Sequence, residues 1–217
     1  MPVSAPPEGF EARVERALSN FSLPRPAPGV LRQLVAYCDL TVVWGQRMDL
    51  TAARSADELV DLLLADALAI ASASSQLAAD ERWLDVGSGV GAPGIPLALL
   101  LPVKMTLVEP REKRVAFLRT AVGSLSRPDI AVSRTRSDIF PAGCCAVAVS
   151  RATLPPQEWV TEGARLATHQ LWLLLAKAGL PELGARQVLA DIRYQWPLTG
   201  AERRAVCLSA GATPAVG

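Results

Sequence analysis

Lysine is nearly missing from this chain. Only Lys104, Lys113 and Lys177 occur among 22 cationic residues, so 22 − 3 leaves 19 arginines, and a lysine in a suggestive place carries weight. Histidine is scarcer still: His169 stands alone, which excludes a histidine metal cluster and a Ser-His-Asp triad, and no metal site is expected. The four cysteines, Cys38, Cys144, Cys145 and Cys207, show no C-x-x-C spacing, and the adjacent pair is badly placed to bond to itself. They read as buried free thiols of a reducing compartment, so a cytoplasmic protein is expected. An excess of either charge is absent too, the net being +1, so no broad field advertises nucleic acid or membrane. A local basic patch can nevertheless hold RNA while the total cancels. Met1–Pro7 lacks the basic start and apolar run of a signal peptide. The longest apolar stretch, Val86–Val103, is broken by Gly and Pro, which predicts a loop and buried helix and no membrane partner.

What is present is apolar: half of the 217 residues, enough for one α/β domain with a small helical extension. Residues 1–28 form a proline-rich segment in which Phe10–Phe21 predicts a short amphipathic helix docking Val14, Ala17 and Leu18. Leu31, Leu34, Val35, Cys38 and Val42 recur at helical spacing and predict a helix that stops near Gly45. Ser55-Ala56-Asp57-Glu58 is a capping-box pattern before an apolar run. Leu59, Val60, Leu62, Leu63, Leu64 and Leu68 then wrap most of that helix, which should be largely buried. Residues 29–80 thus read as a helical extension packed on a core of residues 81–217. From Trp83 the rhythm changes. Strands are predicted at Arg82–Val86, Lys104–Glu109, Ile130–Ser133, Cys144–Val149 and Leu171–Ala176, and helices at Gly94–Leu101, Arg111–Leu125 and around Gln157–Ala167. Apolar strands alternating with helices imply a parallel sheet covered on both faces. Strands near Ile192–Trp196 and Ala205–Leu208 have no helix between them and predict an antiparallel hairpin at one edge.

The densest chemical signal is Leu84-Asp85-Val86-Gly87-Ser88-Gly89-Val90-Gly91-Ala92-Pro93-Gly94-Ile95-Pro96. It follows a strand and opens a helix, where backbone N–H groups can face a polar ligand. Gly87, Gly89 and Gly91 permit close approach, and a simple turn would need only one glycine. The window also contains Gly89-x-Gly91-x-x-Gly94 with Glu109 twenty residues on, so a nicotinamide dinucleotide must be weighed. Asp85 would crowd a pyrophosphate, whereas the amino group and sulfonium of S-adenosylmethionine suit a carboxylate. Pro93 removes an N–H that a pyrophosphate-binding helix would use. The balance favours S-adenosylmethionine, with Ser88, Ala92 and Pro93 completing its loop. Glu109, followed by Pro110, closes the second strand and can accept both ribose hydroxyls. Arg136-Ser137-Asp138 follows the third, where Asp138 can accept from the adenine amino group. Arg151 ends the fourth, at the junction of cofactor and acceptor.

From about Leu31 to Lys177 these residues resemble the small-subunit ribosomal RNA guanine-N7 methyltransferases, the RsmG family, also called GidB. Trp44…Asp49-Leu50-Thr51-Ala52-Ala53-Arg54 is similar to the family's W-N-x-x-x-N-L-T-x-x-R, and Asp66-Ala67-Leu68 to D-S-L. Leu84–Pro96 resembles L-D-V-G-T-G-x-G-x-P-G-I-P, whose P-G-I-P ending is specific to the family among methyltransferases. Lys113-Arg114 with Phe117-Leu118 is similar to K-R-x-x-F-L, Ser150-Arg151-Ala152 to S-R-A, and Lys177-Ala178-Gly179 to K-G. The resemblance implies a class I S-adenosylmethionine-dependent methyltransferase: a Rossmann-like, mostly parallel seven-stranded sheet with an N-terminal helical extension. It also implies ribosomal RNA or the small ribosomal subunit as partner, and a monomer is expected. The departures lie outside the cofactor loop: the family's Arg-His is Leu62-Leu63, its two Asn are Gly45 and Asp49, and its strand-four acid is Ala146.

Guanine N7 carries a lone pair and no proton, so its methylation needs no general base. Positioning and charge accommodation suffice. Arg151 and Lys177 are the catalytic candidates, and Arg54, Lys113, Arg114 and Lys177 the RNA contacts. Two readings stay open beside this one: a methyltransferase acting on another RNA or a small molecule, and a non-catalytic S-adenosylmethionine-binding module.

Overall fold

The computed structural model describes residues 3–74, 80–176 and 178–211, so Lys177 lies outside the described residues. Three helices lead in: α1 (Glu11–Ser19), α2 (Pro28–Gly45) and α3 (Ala56–Ala73). Ser55 caps α3 as its pattern predicts, accepting the Glu58 N–H at 3.1 Å. The Glu58 carboxylate reaches back to the Arg54 N–H at 2.8 Å, one residue earlier than in the ideal box. The core then runs β1 (Arg82–Val86), α4 (Gly94–Leu100), β2 (Lys104–Val108), α5 (Glu112–Ser124), β3 (Ile130–Ser133), a short 3₁₀ turn at Ser137–Ile139, β4 (Cys145–Arg151), α6 (Pro156–Leu166), β5 (Ala167–Leu175), β6 (Val188–Gln195) and β7 (Glu202–Ser209). No helix among the described residues is long and apolar enough to cross a membrane.

The strands form one sheet in the order β3-β2-β1-β4-β5-β7-β6. The first five are parallel, and the β6–β7 hairpin is antiparallel, with β7 inserted beside β5. Alternation along β1 sorts its side chains between two layers. Trp83 packs with the core shared by α1 to α5, while Leu84 and Val86 pack with α6. Asp85, in phase with Trp83, therefore projects beneath α4. Phe10, Val14 and Ala17 of the N-terminal segment join the same cluster as Leu34, Leu63, Ile95 and Leu107, so the lead-in helices continue the core. The strand order reverses at β1, whose neighbours are β2 on one side and β4 on the other. In such sheets the crevice outside the strands' carboxyl ends is the place for a ligand.

Three strands begin earlier than the apolar pattern predicts, and β7 does so because its first residues, Glu202, Arg203 and Arg204, are polar and pair with β6 through backbone. β5 starts at Ala167 because Thr168, His169 and Gln170 carry the backbone ladder with polar, largely outward side chains. β6 starts at Val188 because it is an edge strand, exposed along alternate residues, and so lacks a hydrophobic run.

α3 also holds the hairpin. The buried Asp61 accepts the N–H groups of Leu198 and Thr199, the latter at 2.8 Å, and the Thr199 hydroxyl at 2.8 Å. Burial pushes the Asp61 carboxyl above its usual range, and the Thr199 and backbone donors partly offset this. Replacing Asp61 with Ala is expected to destabilise the fold by about 2–4 kcal/mol, since three donors lose a charged acceptor. Asn, which retains one acceptor, should lose about half as much in denaturant titration. Equal stabilities of Ala and wild type would show that the turn holds itself.

Candidate active site at the switch point

The glycine loop joins β1 to α4 and is held from several sides. Gly87 and Ser88 N–H groups donate to the Val108 carbonyl at 2.8 and 3.0 Å, tying the loop to β2. The Tyr37 hydroxyl of α2 donates to the Val90 carbonyl at 2.7 Å. Ser150 and Thr153, at the end of β4, donate to the Val86 carbonyl at 2.8 and 3.0 Å. Gly87 sits at φ +70°, and a Cβ there would overlap the Thr153 side chain, so glycine is required twice over. Gly87 and Gly89 are partly exposed, whereas Ser88, Gly91, Ala92 and Pro93 are buried and shape the loop from beneath.

Asp85 is 1% exposed. One oxygen, Oδ2, accepts the Gly94 N–H at 3.1 Å at the start of α4. The other, Oδ1, is buried without a hydrogen-bond partner among the described residues. Burial lifts the carboxyl to about 7, opposed by the Gly94 N–H, the Arg151 charge and Ser88, with Glu109 adding to the rise. A Cβ at Gly94 would stand 2.6 Å from Asp85 Oδ2, so this carboxylate occupies space that only glycine leaves open. An orphaned buried oxygen with a raised pKa is costly unless something donates to it.

Glu109 lies just past the end of β2, and its carboxylate is occupied: Oε2 accepts the Gly89 N–H at 3.0 Å and Oε1 the Arg111 N–H at 2.9 Å. Arg114 stands 3.9 Å from Oε2. Arg111 at the N-cap of α5 and Lys113 on its first turn are exposed and line a groove of about 1020 Å³ together with Arg47 and Asp49. Pro110 is exposed between Glu109 and that turn. Arg136, Ser137 and Asp138 follow β3, with Arg136 and Asp138 in an exposed pair at 3.3 Å. Glu109 and β3 are joined by the Glu109 N–H donating to the Ser133 carbonyl at 3.1 Å. Arg54 is exposed just before α3, away from these strand ends in the chain but on the loop that shapes the groove's rim.

Arg151 ends β4 as the sequence predicts, and the next residue, Ala152, adopts φ +52°. That left-handed turn brings Thr153 back onto Gly87. Tyr37 and Thr153 are the site residues that sequence reasoning misses. Thr153, two positions past the strand-end arginine, carries a local signal, whereas Tyr37 acts through a hydrogen bond across the fold.

A family model described as GidB, rRNA small subunit methyltransferase G, matches residues 30–190. The ribosomal RNA small subunit methyltransferase G of Pseudomonas aeruginosa (strain LESB58) is 40% identical over 110 residues, half of each chain. That of Anaeromyxobacter sp. (strain Fw109-5) is 29% identical over 208 residues, covering 89% of this chain and 94% of its own. The chain thus spans about half the length of the first curated relatives it matches and 94% of the Anaeromyxobacter protein. Among solved structures, yhhF of Escherichia coli, which carries the description of a methyltransferase, superposes with TM-score 0.51 at 15% identity. It covers 62% of this chain and 79% of its own, a likeness of fold.

Proposed function

Because the chain belongs to the GidB family, rRNA small subunit methyltransferase G, we propose that it is an S-adenosylmethionine-dependent methyltransferase that modifies N7 of a guanine in small-subunit ribosomal RNA. One observation carries the cofactor: Asp85 Oδ1, a buried acceptor with no partner, beneath a preformed glycine loop. When bound, S-adenosylmethionine supplies a methyl group on a sulfonium together with a charged amino group. The Asp85 carboxylate is suited to accept from that amino group. Each Glu109 oxygen, although holding one backbone N–H, retains a lone pair for a ribose hydroxyl. Asp138, with Ser137 and Arg136, is assigned to the adenine edge. Gly87 and Gly89 admit the cofactor closely, and Arg151 stands toward the acceptor.

The acceptor side asks little of side chains. N7 has no proton to lose, so Arg151 and Lys177 act by binding and orienting the base and its phosphates. Lys113, Arg114 and Arg54 supply further phosphate contacts, joined by Arg47 and Arg111 around the groove beside α5. A ribosomal substrate places the work in the cytoplasm.

An inventory of modified nucleosides in ribosomal RNA tests the reading. N7-methylguanosine should disappear from the small-subunit RNA on deletion and return with the wild type, but not with Gly89→Asp. An unchanged inventory rules it out. In vitro, Arg111→Glu with Lys113→Glu should weaken RNA binding about tenfold and flatten its salt dependence by about two phosphates' worth. Affinity for S-adenosylhomocysteine should change by less than about twofold, because neither side chain is a hydrogen-bond partner of Asp85 or Glu109. An unaltered salt slope removes the groove from the RNA path.

A further inference from the structure

Arg151 is tied into the fold through its first guanidinium nitrogen. Nη1 donates to the Leu62 carbonyl at 2.5 Å and to Asp66 Oδ2 at 3.0 Å, both on α3. The other oxygen, Oδ1, accepts the Tyr194 hydroxyl at 2.5 Å from β6. Asp66 is 3% exposed, and the Tyr194 ring lies edge-on to Phe21, 5.9 Å between centroids. A helix of the lead-in and the edge hairpin therefore converge on one strand-end arginine. Burial and the neighbouring Asp66 push the Tyr194 hydroxyl far above its usual range, so it remains a donor. Among the described residues, Nε and Nη2 of Arg151 have no protein partner. The guanidinium is a rigid planar fork, so two acceptors on one nitrogen restrict the direction of the remaining three hydrogens.

We propose that Asp66 and Tyr194 are positioning residues for methyl transfer, orienting the Arg151 guanidinium so that its Nε and Nη2 hydrogens serve the methyl acceptor. The inference rests on the methyltransferase reading above. A buried charged network of this kind adds little net stability compared with apolar packing, which leaves orientation as its physical return. Asp66 sets the guanidinium directly, and Tyr194 acts one bond further out by fixing the carboxylate plane.

The test compares Tyr194→Phe, Asp66→Asn and the double variant in the full chain. With small-subunit particles as substrate, Tyr194→Phe should lower kcat about tenfold and Asp66→Asn about 100-fold, with KM for the particle shifting less than about threefold. The double variant should be no slower than Asp66→Asn alone, because Tyr194 works through Asp66. A purely structural role would lower Tm and leave kcat in place at temperatures where each variant is folded. A second readout needs no RNA: the rate of phenylglyoxal modification at Arg151, mapped by mass spectrometry. It should rise about fivefold or more in both single variants as the guanidinium is released. Wild-type kcat in both variants overturns the proposal, as does an unchanged Arg151 modification rate. If the wild type methylates no small-subunit RNA, the functional reading falls, and the modification rates alone uphold or overturn the clamp.

Discussion

Replacing Asp85 with Asn is expected to weaken S-adenosylhomocysteine binding about 100-fold while leaving thermal stability above pH 7 unchanged or raised. The reason is the orphaned Oδ1 of a buried carboxylate whose pKa is lifted from 3.8 to about 7. Between those values the folded chain holds a proton that the unfolded chain has released. Folding therefore loses stability as pH rises through this window, by about 4 kcal/mol in all, and the penalty is complete above pH 7. Asparagine removes that ionisation, so the Asp85 contribution to the fall in Tm between about pH 4 and pH 7 should vanish. Cofactor binding runs the other way. An ammonium group needs the ionised carboxylate, so wild-type affinity should rise up to about tenfold per pH unit below 7 and level off above it. Thermal melts check the first trend and isothermal titration the second, each at three pH values. A variant that binds within about threefold of wild type, or a flat wild-type profile, removes Asp85 from the cofactor site.

Arg151→Ala should lower methyl transfer by about two to three orders of magnitude and also cost stability. The sequence alone suggests an effect on chemistry far larger than that on folding. The ion pair with Asp66 adds a folding cost, because the variant leaves the Asp66 side chain buried with Tyr194 as its one remaining donor among the described residues. The Arg151 side chain is 23% exposed, which places the loss at about 2–3 kcal/mol, below the range for a fully buried pair. A further shift distinguishes loss of charge from simple unfolding. Arg151 is among the influences holding the Asp85 carboxyl down, so its removal should move the pH midpoint of cofactor binding upward. Arg151→Lys keeps that charge but cannot reproduce the planar fork, so the midpoint should stay while kcat remains low. If Arg151→Ala turns over within about threefold of wild type at a temperature where it is folded, the strand-four assignment fails.

Elements that repeat on a local period were legible in the sequence. The Ser55 cap, the apolar phase of α2 and α3, the five parallel strands and the terminal hairpin all carry their signals within a few residues. β5 and β6 resisted at their starts, because Thr168–Gln170 and the exposed edge of β6 pair through backbone while their side chains remain polar or alternate.

The sequence by itself determined the strand–loop–helix at Leu84–Pro96, the acid at Glu109 and the arginine at the end of β4, since backbone conformation and strand ends are written locally. Only the tertiary structure decided what those groups do to one another. Alternation along β1 buries Asp85 beneath α4 and leaves one of its oxygens unpartnered. The Glu109 carboxylate already bridges Gly89 and Arg111. Arg151, Asp66 and Tyr194 meet although 85 and 128 positions separate Asp66 from its two partners. Hydrogen bonds over such separations leave no periodicity to read, because they depend on where the sheet order brings the elements together.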